Sequence, residues 1–216
     1  MLQEATRPDV VEQLASACGM QTSGSIRGQS VAFLSRLDVA SYAWHPIRLA
    51  RRMYLEIVLG GSGARVFGVH LSAVHSNPTE RRRAYELGSL LRQVGQSQPG
   101  FHLVTGDFNT LAPGEHLDVS RLPPRLRAVI WLTGGTIRWT TIRLMLDKGY
   151  TDGYRIFHKD DEGFTFPTWD PHVRLDYLFL PSALASKLVC CEVVRDAPGL
   201  RDASDHFPLL SEISIP

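Results

Sequence analysis

The sequence predicts an α/β protein of one domain, residues 1–216, in which sheets are covered by helical layers. Three observations carry this. The apolar run over residues 66–71 lacks the alternation of a half-exposed strand and reads as a strand buried on both faces, and the run over 101–104 reads as a buried strand too. Amphipathic stretches over residues 5–18 and 77–94 supply helices whose apolar stripes need a surface to cover. No internal repeat, low-complexity tract or linker divides the chain, and its length allows a sizeable core.

In the first helix Thr6 caps, Pro8 fits the first turn, and Val10, Val11, Leu14, Ala15 and Cys18 share a face before Gly19 stops it. Residues 22–30 form a Ser- and Gly-rich loop, and residues 31–34 a strand. Residues 53–59 and 65–71 make a hairpin around Gly60-Gly61-Ser62-Gly63. His70, near the end of its second arm, reads by itself as a satisfied core residue. Asn77-Pro78 opens a helix through Val94 with Ala84, Leu87, Leu90, Leu91 and Val94 inward, and Arg81-Arg82-Arg83 reads as a solvated face.

The apolar run 101–104 is a buried strand, and Gly106 lets the backbone turn sharply at its end. Asp107 and Asn109 then project on one side, provided the extended conformation persists. Two short helices follow, over residues 124–132 and 140–146, split by Gly134-Gly135. Residues 150–154 read as a loop, and strands over 175–180, 188–194 and 207–215 close the chain.

Composition excludes several classes. No apolar run approaches the length of a membrane span, so an integral membrane protein is not expected. Met1-Leu2-Gln3-Glu4 has neither the basic region nor the apolar stretch of a signal peptide, which predicts the cytoplasm. A net charge of +1 argues against gripping nucleic acid by bulk charge, although Arg81–Arg83 and Arg121–Arg127 leave a polyanionic substrate open. Cys18, Cys190 and Cys191 have no Cys-x-x-Cys spacing and read as buried free thiols. The chain is expected to be a monomer.

The chemistry gathers at the ends of the apolar runs, at Glu4, His70, Asp107 with Asn109, Arg174 with Asp176, and Ser204-Asp205-His206. Asp107 can take a proton or hold a metal-bound water, and Asn109 can donate to an anionic oxygen without adding charge. That pairing suits hydrolysis of a phosphate ester. Asp176 interrupts an apolar run, where a carboxylate is costly unless paired, and His206 is a natural partner whose tautomer it would fix. Arg174 is the candidate to bind the substrate. Phe164, Phe166 and Trp169 read first as loop packing, with a substrate wall as the other reading.

Gly-Asp-Phe-Asn at 106–109, Arg-Leu-Asp-Tyr at 174–177 and Ser-Asp-His at 204–206 resemble the three downstream signatures of the endonuclease/exonuclease/phosphatase superfamily, the DNase I-like metal-dependent phosphoesterases. Leu2-Gln3-Glu4 is similar to its upstream Gln-Glu motif, Val69-His70-Leu71 to its central histidine strand, and Leu34-Ser35-Arg36 to a further turn of the group. These motifs occur in the family's order from residue 2 to the closing strand.

The resemblance implies a four-layer αββα sandwich of two mostly antiparallel sheets flanked by helices. It implies Glu4 as principal ligand of a divalent cation, normally Mg2+ with Mn2+ as the substitute, and Asp205 in the same carboxylate set. Asp107 would orient or deprotonate water, Asn109 would bond the scissile phosphate, and His70 would contact the phosphate or assist the leaving group. His206, oriented by Asp176, would stabilise the transition state or act as base, a role left shared with Asp107. The substrate is a phosphate ester: nucleic acid, nucleotide, lipid or sugar phosphate. A sphingomyelinase-like lipid phosphodiesterase and a catalytically weakened binding or scaffold protein are the alternatives.

Two departures stand out. Family members begin with a core strand ending in Asn, which Met1-Leu2-Gln3 leaves no room for, so the start is misplaced, the chain is a fragment, or it is a reduced variant. Val-His-Leu also stands where abasic-site endonucleases of the group carry Tyr-x-Pro-Asn.

Overall fold

A computed structural model describes residues 1–47, 50, 52–97 and 100–215. Its contacts divide the chain into two compact units, residues 1–71 and 88–107 with Ile215, and residues 72–87 and 108–214.

The first unit is built largely from short apolar strands. It holds β1 (Leu2–Gln3), α1 (Pro8–Ala17), β2 (Thr22–Gly24), β3 (Val31–Ser35), β4 (Val39–Pro46), β5 (Met53–Leu59) and β6 (Arg65–His70). The C-terminal part of α2 (Asn77–Ser97) and β7 (His102–Asp107) complete it. One antiparallel sheet runs β1-β3-β2, with Leu2 opposite Ala32 and Gln3 opposite Val31. A second set runs β4-β5-β6-β7, antiparallel until β6 and β7 pair in parallel, which α2 permits by crossing between them. Val31 and Phe33 of β3 meet Leu55 and Ile57 of β5, with Met1, Val39 and Trp44 around them, so two sheets share one core. The expected hairpin at residues 53–71 is present, and Phe67, Gly68, Val69 and His70 are all buried.

The second unit begins with the first turns of α2. It continues through α3 (Pro124–Leu132), α4 (Thr141–Asp147), β8 (Tyr150–Asp152), α5 (Gly153–Phe157), β9 (Asp176–Pro181), β10 (Leu188–Val193), α6 (Leu200–Ala203) and β11 (Leu209–Ile213). β8 pairs with β9 and β10 with β11, both antiparallel. Leu111, Val173 and Leu175 form a core with Leu117, Trp139 and Phe166 packed on it. Among the described residues no helix is long and apolar enough to cross a membrane.

Several expectations give way to tertiary pairing. Part of the anticipated loop at 22–30 is β2, because Thr22, Ser23 and Gly24 pair with the exposed edge of β3. β4, which the hydropathy pattern does not signal, exists by pairing along the whole length of β5. Residues 150–154 are β8 and the start of α5 rather than a loop, and Asp152 caps α5 by accepting the Tyr154 N–H at 3.1 Å. Arg83 is buried, not on a solvated face. Its guanidinium donates to the Ser72 and Val74 carbonyls at 2.8 and 3.0 Å and pairs with Glu80 at 2.9 Å. The three cysteines are free as expected, but only Cys191 is buried; Cys18 is exposed and Cys190 lies between.

Candidate functional site

In the first unit the parallel register of β6 and β7 places His70 directly opposite Asp107. Both are buried, with His70 Nε2 3.5 Å from Asp107 Oδ2. The backbone holds the pair in place: the Leu71 N–H donates to the Asp107 carbonyl at 2.9 Å, and Arg52 Nη1 donates to the His70 carbonyl at 2.9 Å. Gly106 makes the close approach possible, though not as a sharp turn at the strand's end. It lies inside β7 at φ +136°, and a Cβ there would collide with the Val69 carbonyl. Glu4 follows β1, exposed, with φ +56°, a left-handed conformation that a glutamate adopts only under constraint.

In the second unit Asn109 is buried at φ +52°, so the chain does not stay extended past Asp107 and the expected two-residue alternation fails there. Asn tolerates this region better than most residues. The next residue, Thr110, is clamped: its hydroxyl donates to Glu80 Oε2 at 2.8 Å, and its carbonyl accepts the Tyr177 hydroxyl at 3.0 Å. Glu80 also accepts the Thr140 and Thr141 N–H groups at 2.7 and 2.8 Å. Burial alone would raise its pKa, but the Arg83 charge and these donors outweigh burial and hold the carboxyl below its usual range.

Asp176 and His206 meet as the sequence predicts. His206 Nδ1 donates to Asp176 Oδ2 at 2.7 Å, which orients the ring and leaves Nε2 as the nitrogen through which it would act. The segment at residues 164–169 holds both partners. The Leu175 N–H donates to the buried Thr165 hydroxyl at 3.1 Å, the Thr168 hydroxyl donates to the Ser204 carbonyl at 3.0 Å, and the Thr168 N–H donates to the Asp205 carbonyl at 2.9 Å. The Phe166 ring lies 4.8 Å from that of His206, and Trp169, 69% exposed, lies 6.2 Å from Phe166. Sequence reasoning passed over Thr165 and Thr168. Their signal was a Thr on each side of Phe166-Pro167, next to a segment already rich in aromatics.

Arg174 is a correction. It is 1% exposed, and its Nη2 contacts Glu115 Oε1 and Asp152 Oδ2 at 2.6 and 2.7 Å, with its guanidinium 4.3 Å over the Tyr177 ring. A substrate phosphate would have to displace two carboxylates to reach it, so Arg174 is a core cation and not a substrate ligand. Glu115 is correspondingly held below the usual carboxylate range, the Arg174 charge overriding the opposing effect of burial.

Glu4 and Asp205, the expected metal ligands, are both exposed carboxylates. Among the described residues no three His, Cys, Asp or Glu side chains converge as a ligand cluster. Mg2+ asks for less: one or two carboxylates with water completing the octahedron, and oxygen donors of this kind suit it.

A fold and a histidine–aspartate pairing of this kind define a class, and comparison with known proteins specifies it. The profile of the Endonuclease/Exonuclease/phosphatase family matches residues 1–206. The chain belongs to that family of phosphoester hydrolases. Its fold is shared with a variant of the 3' phosphatase NExo from Neisseria bound to product DNA hairpin, at 18% identity and a TM-score of 0.67, over 98% of this chain and 85% of that one. An AP endonuclease from Archaeoglobus fulgidus is similar at 16% identity and a TM-score of 0.67, over 98% and 86% of the two chains. D. rerio TDP2 complexed with single strand DNA product gives 15% identity and a TM-score of 0.63, over 97% and 82%. A search of curated protein sequences finds no match.

Proposed function

We propose that the protein is a Mg2+-dependent phosphoesterase that hydrolyses a phosphodiester or phosphomonoester by attack of water. The observation that carries this reading is the Asp176–His206 pair at 2.7 Å, held in a chain of this family by Thr165 and Thr168. His206 would hold or move a proton at Nε2, with Asp176 stabilising the charged ring. Asp107, with His70 across the strand pair, would orient the attacking water or take its proton, while the His70 ring would donate to the phosphate or the leaving group. Asn109 would donate its amide N–H to a non-bridging oxygen as charge develops there. Glu4 and Asp205 would hold the cation, which when bound neutralises charge on the phosphate oxygens and so allows an anionic substrate among carboxylates.

Two of the neighbours in fold were solved with DNA products, which supports a nucleic acid among the candidate esters. The test is turnover of a generic aryl phosphodiester. Excess chelator should silence it and Mg2+ restore it; activity that survives chelation would overturn the metal assignment. Asp107→Ala and His206→Ala should each lower kcat by about 100-fold or more with the circular dichroism spectrum unchanged. Near-wild-type rates in both variants would refute the roles given to them.

A further inference from the structure

Residues 117–140 are exposed along most of their length, and α3 lies at their centre. The helix is delimited by Pro123-Pro124 at its start and by Gly134 and Gly135, both at positive φ, after its end. A surface helix ordinarily turns one apolar stripe inward and a polar face outward. α3 does the first with Ile130, its one buried residue, but not the second. Its outward face carries Ala128, Trp131 and Leu132, the last two 75% and 73% exposed. Ala128 sits one turn before both, so the three form a continuous apolar ridge.

Arginines border that ridge. Arg127 lies one turn before Trp131 on one side, and Arg125 lies two turns before Leu132 on the other. Exposed Arg121 and Arg138 flank the helix ends. Asp118 is the sole acidic residue between Leu117 and Thr140; Arg121 is paired with it and, at 3.2 Å, with Asp170, which leaves Arg125, Arg127 and Arg138 as the cations of the ridge. Among the described residues no carboxylate pairs with Arg125, Arg127 or Arg138.

We infer that α3 is a membrane-surface contact that lies in the plane of an anionic lipid bilayer, with Ala128, Trp131 and Leu132 among the acyl chains and the arginines at the lipid phosphates. An apolar ridge bordered by cations on long flexible stems matches a headgroup boundary, where the stems stay in hydrocarbon and the charges reach the phosphates. Trp favours that depth because its ring is apolar and its N–H is wet. A nucleic acid strand would satisfy the arginines and could stack on Trp131, but it leaves Leu132 and Ala128 facing charge and water. A second copy docking by the same face would bring two arginine-bordered surfaces together, like charge on like. The inference is independent of the phosphoesterase reading, since binding and turnover are measured separately.

Co-sedimentation of the full chain with phosphatidylcholine vesicles, with and without phosphatidylserine, tests it. The protein should pellet with the serine-lipid vesicles and be released by high salt. Trp131→Ala with Leu132→Ala should weaken binding by about tenfold or more, with an unchanged circular dichroism spectrum. Arg125→Gln with Arg127→Gln should remove the preference for phosphatidylserine while keeping the fold. Failure of the wild-type chain to pellet, or equal binding by the Trp131/Leu132 variant, would overturn the proposal. So would a single-stranded oligonucleotide shift, or a concentration-dependent dimer, that this variant abolishes in a chain that does not bind vesicles.

Discussion

Gly106 shows how a single missing carbon shapes the candidate chemistry. With φ at +136° and the Val69 carbonyl where a Cβ would stand, alanine there has no strained alternative to settle into short of moving β7 away from β6. Gly106→Ala should therefore lower stability by about 2 kcal/mol or more, read as a fall in the urea midpoint. A stability within error of wild type would show that the two strands can part without cost. Asn109 and Glu4 carry the same lesson at positive φ, and no feature of their immediate sequence announces it. The residue types at both places were legible, because Gly-Asp-Phe-Asn and Gln-Glu are recognisable as strings. Their dihedral angles were not, because they follow from the bonds that fix their neighbours, such as Thr110 on Glu80.

At the scale of elements, amphipathic and continuously apolar segments were readable with little error. α3 is found at Pro124–Leu132 as expected, and β5 and β6 at the expected hairpin. What failed were elements that exist only by pairing, such as β2 and β4, and charged residues buried between elements. Arg174, two residues before β9, is the clearest case. Position alone made it look available to a substrate, whereas Glu115, Asp152 and Tyr177 enclose it. Arg174→Ala should cost about 3–5 kcal/mol in denaturant titration, because it leaves the buried Asp152 without its cation and Glu115 with Arg155 alone. A raised KM at unchanged stability would restore the substrate-binding role that its burial denies.

For the molecule as a whole, acid should unfold the chain in two stages. Burial, with the Arg83 cation nearby, lowers the pKa of His75 from 6.5 to about 4, and its Nδ1 is buried without a hydrogen-bond partner among the described residues. Between those values the unfolded chain binds a proton that the folded chain refuses, so His75 contributes stability that is full above 6.5 and lost as pH falls to about 4. Glu80 and Glu115, held below 4.5, contribute stability that is lost only at lower pH still. Urea midpoints should decline as pH falls from 6.5 towards 4, and His75→Phe should flatten that stage alone. An unchanged decline in that variant would assign the first stage to another group.

Motif strings and hydrophobic periodicity are local properties that survive without a partner in space. For that reason the family and the fold class are readable from residue order alone. That Arg83 and Arg174 are buried cations, and that α3 turns an apolar ridge to solvent, became visible only in the folded chain. Each of those depends on what lies opposite a residue once the chain has closed on itself. Burial and pairing between distant positions are set by packing, and no single stretch of sequence carries them.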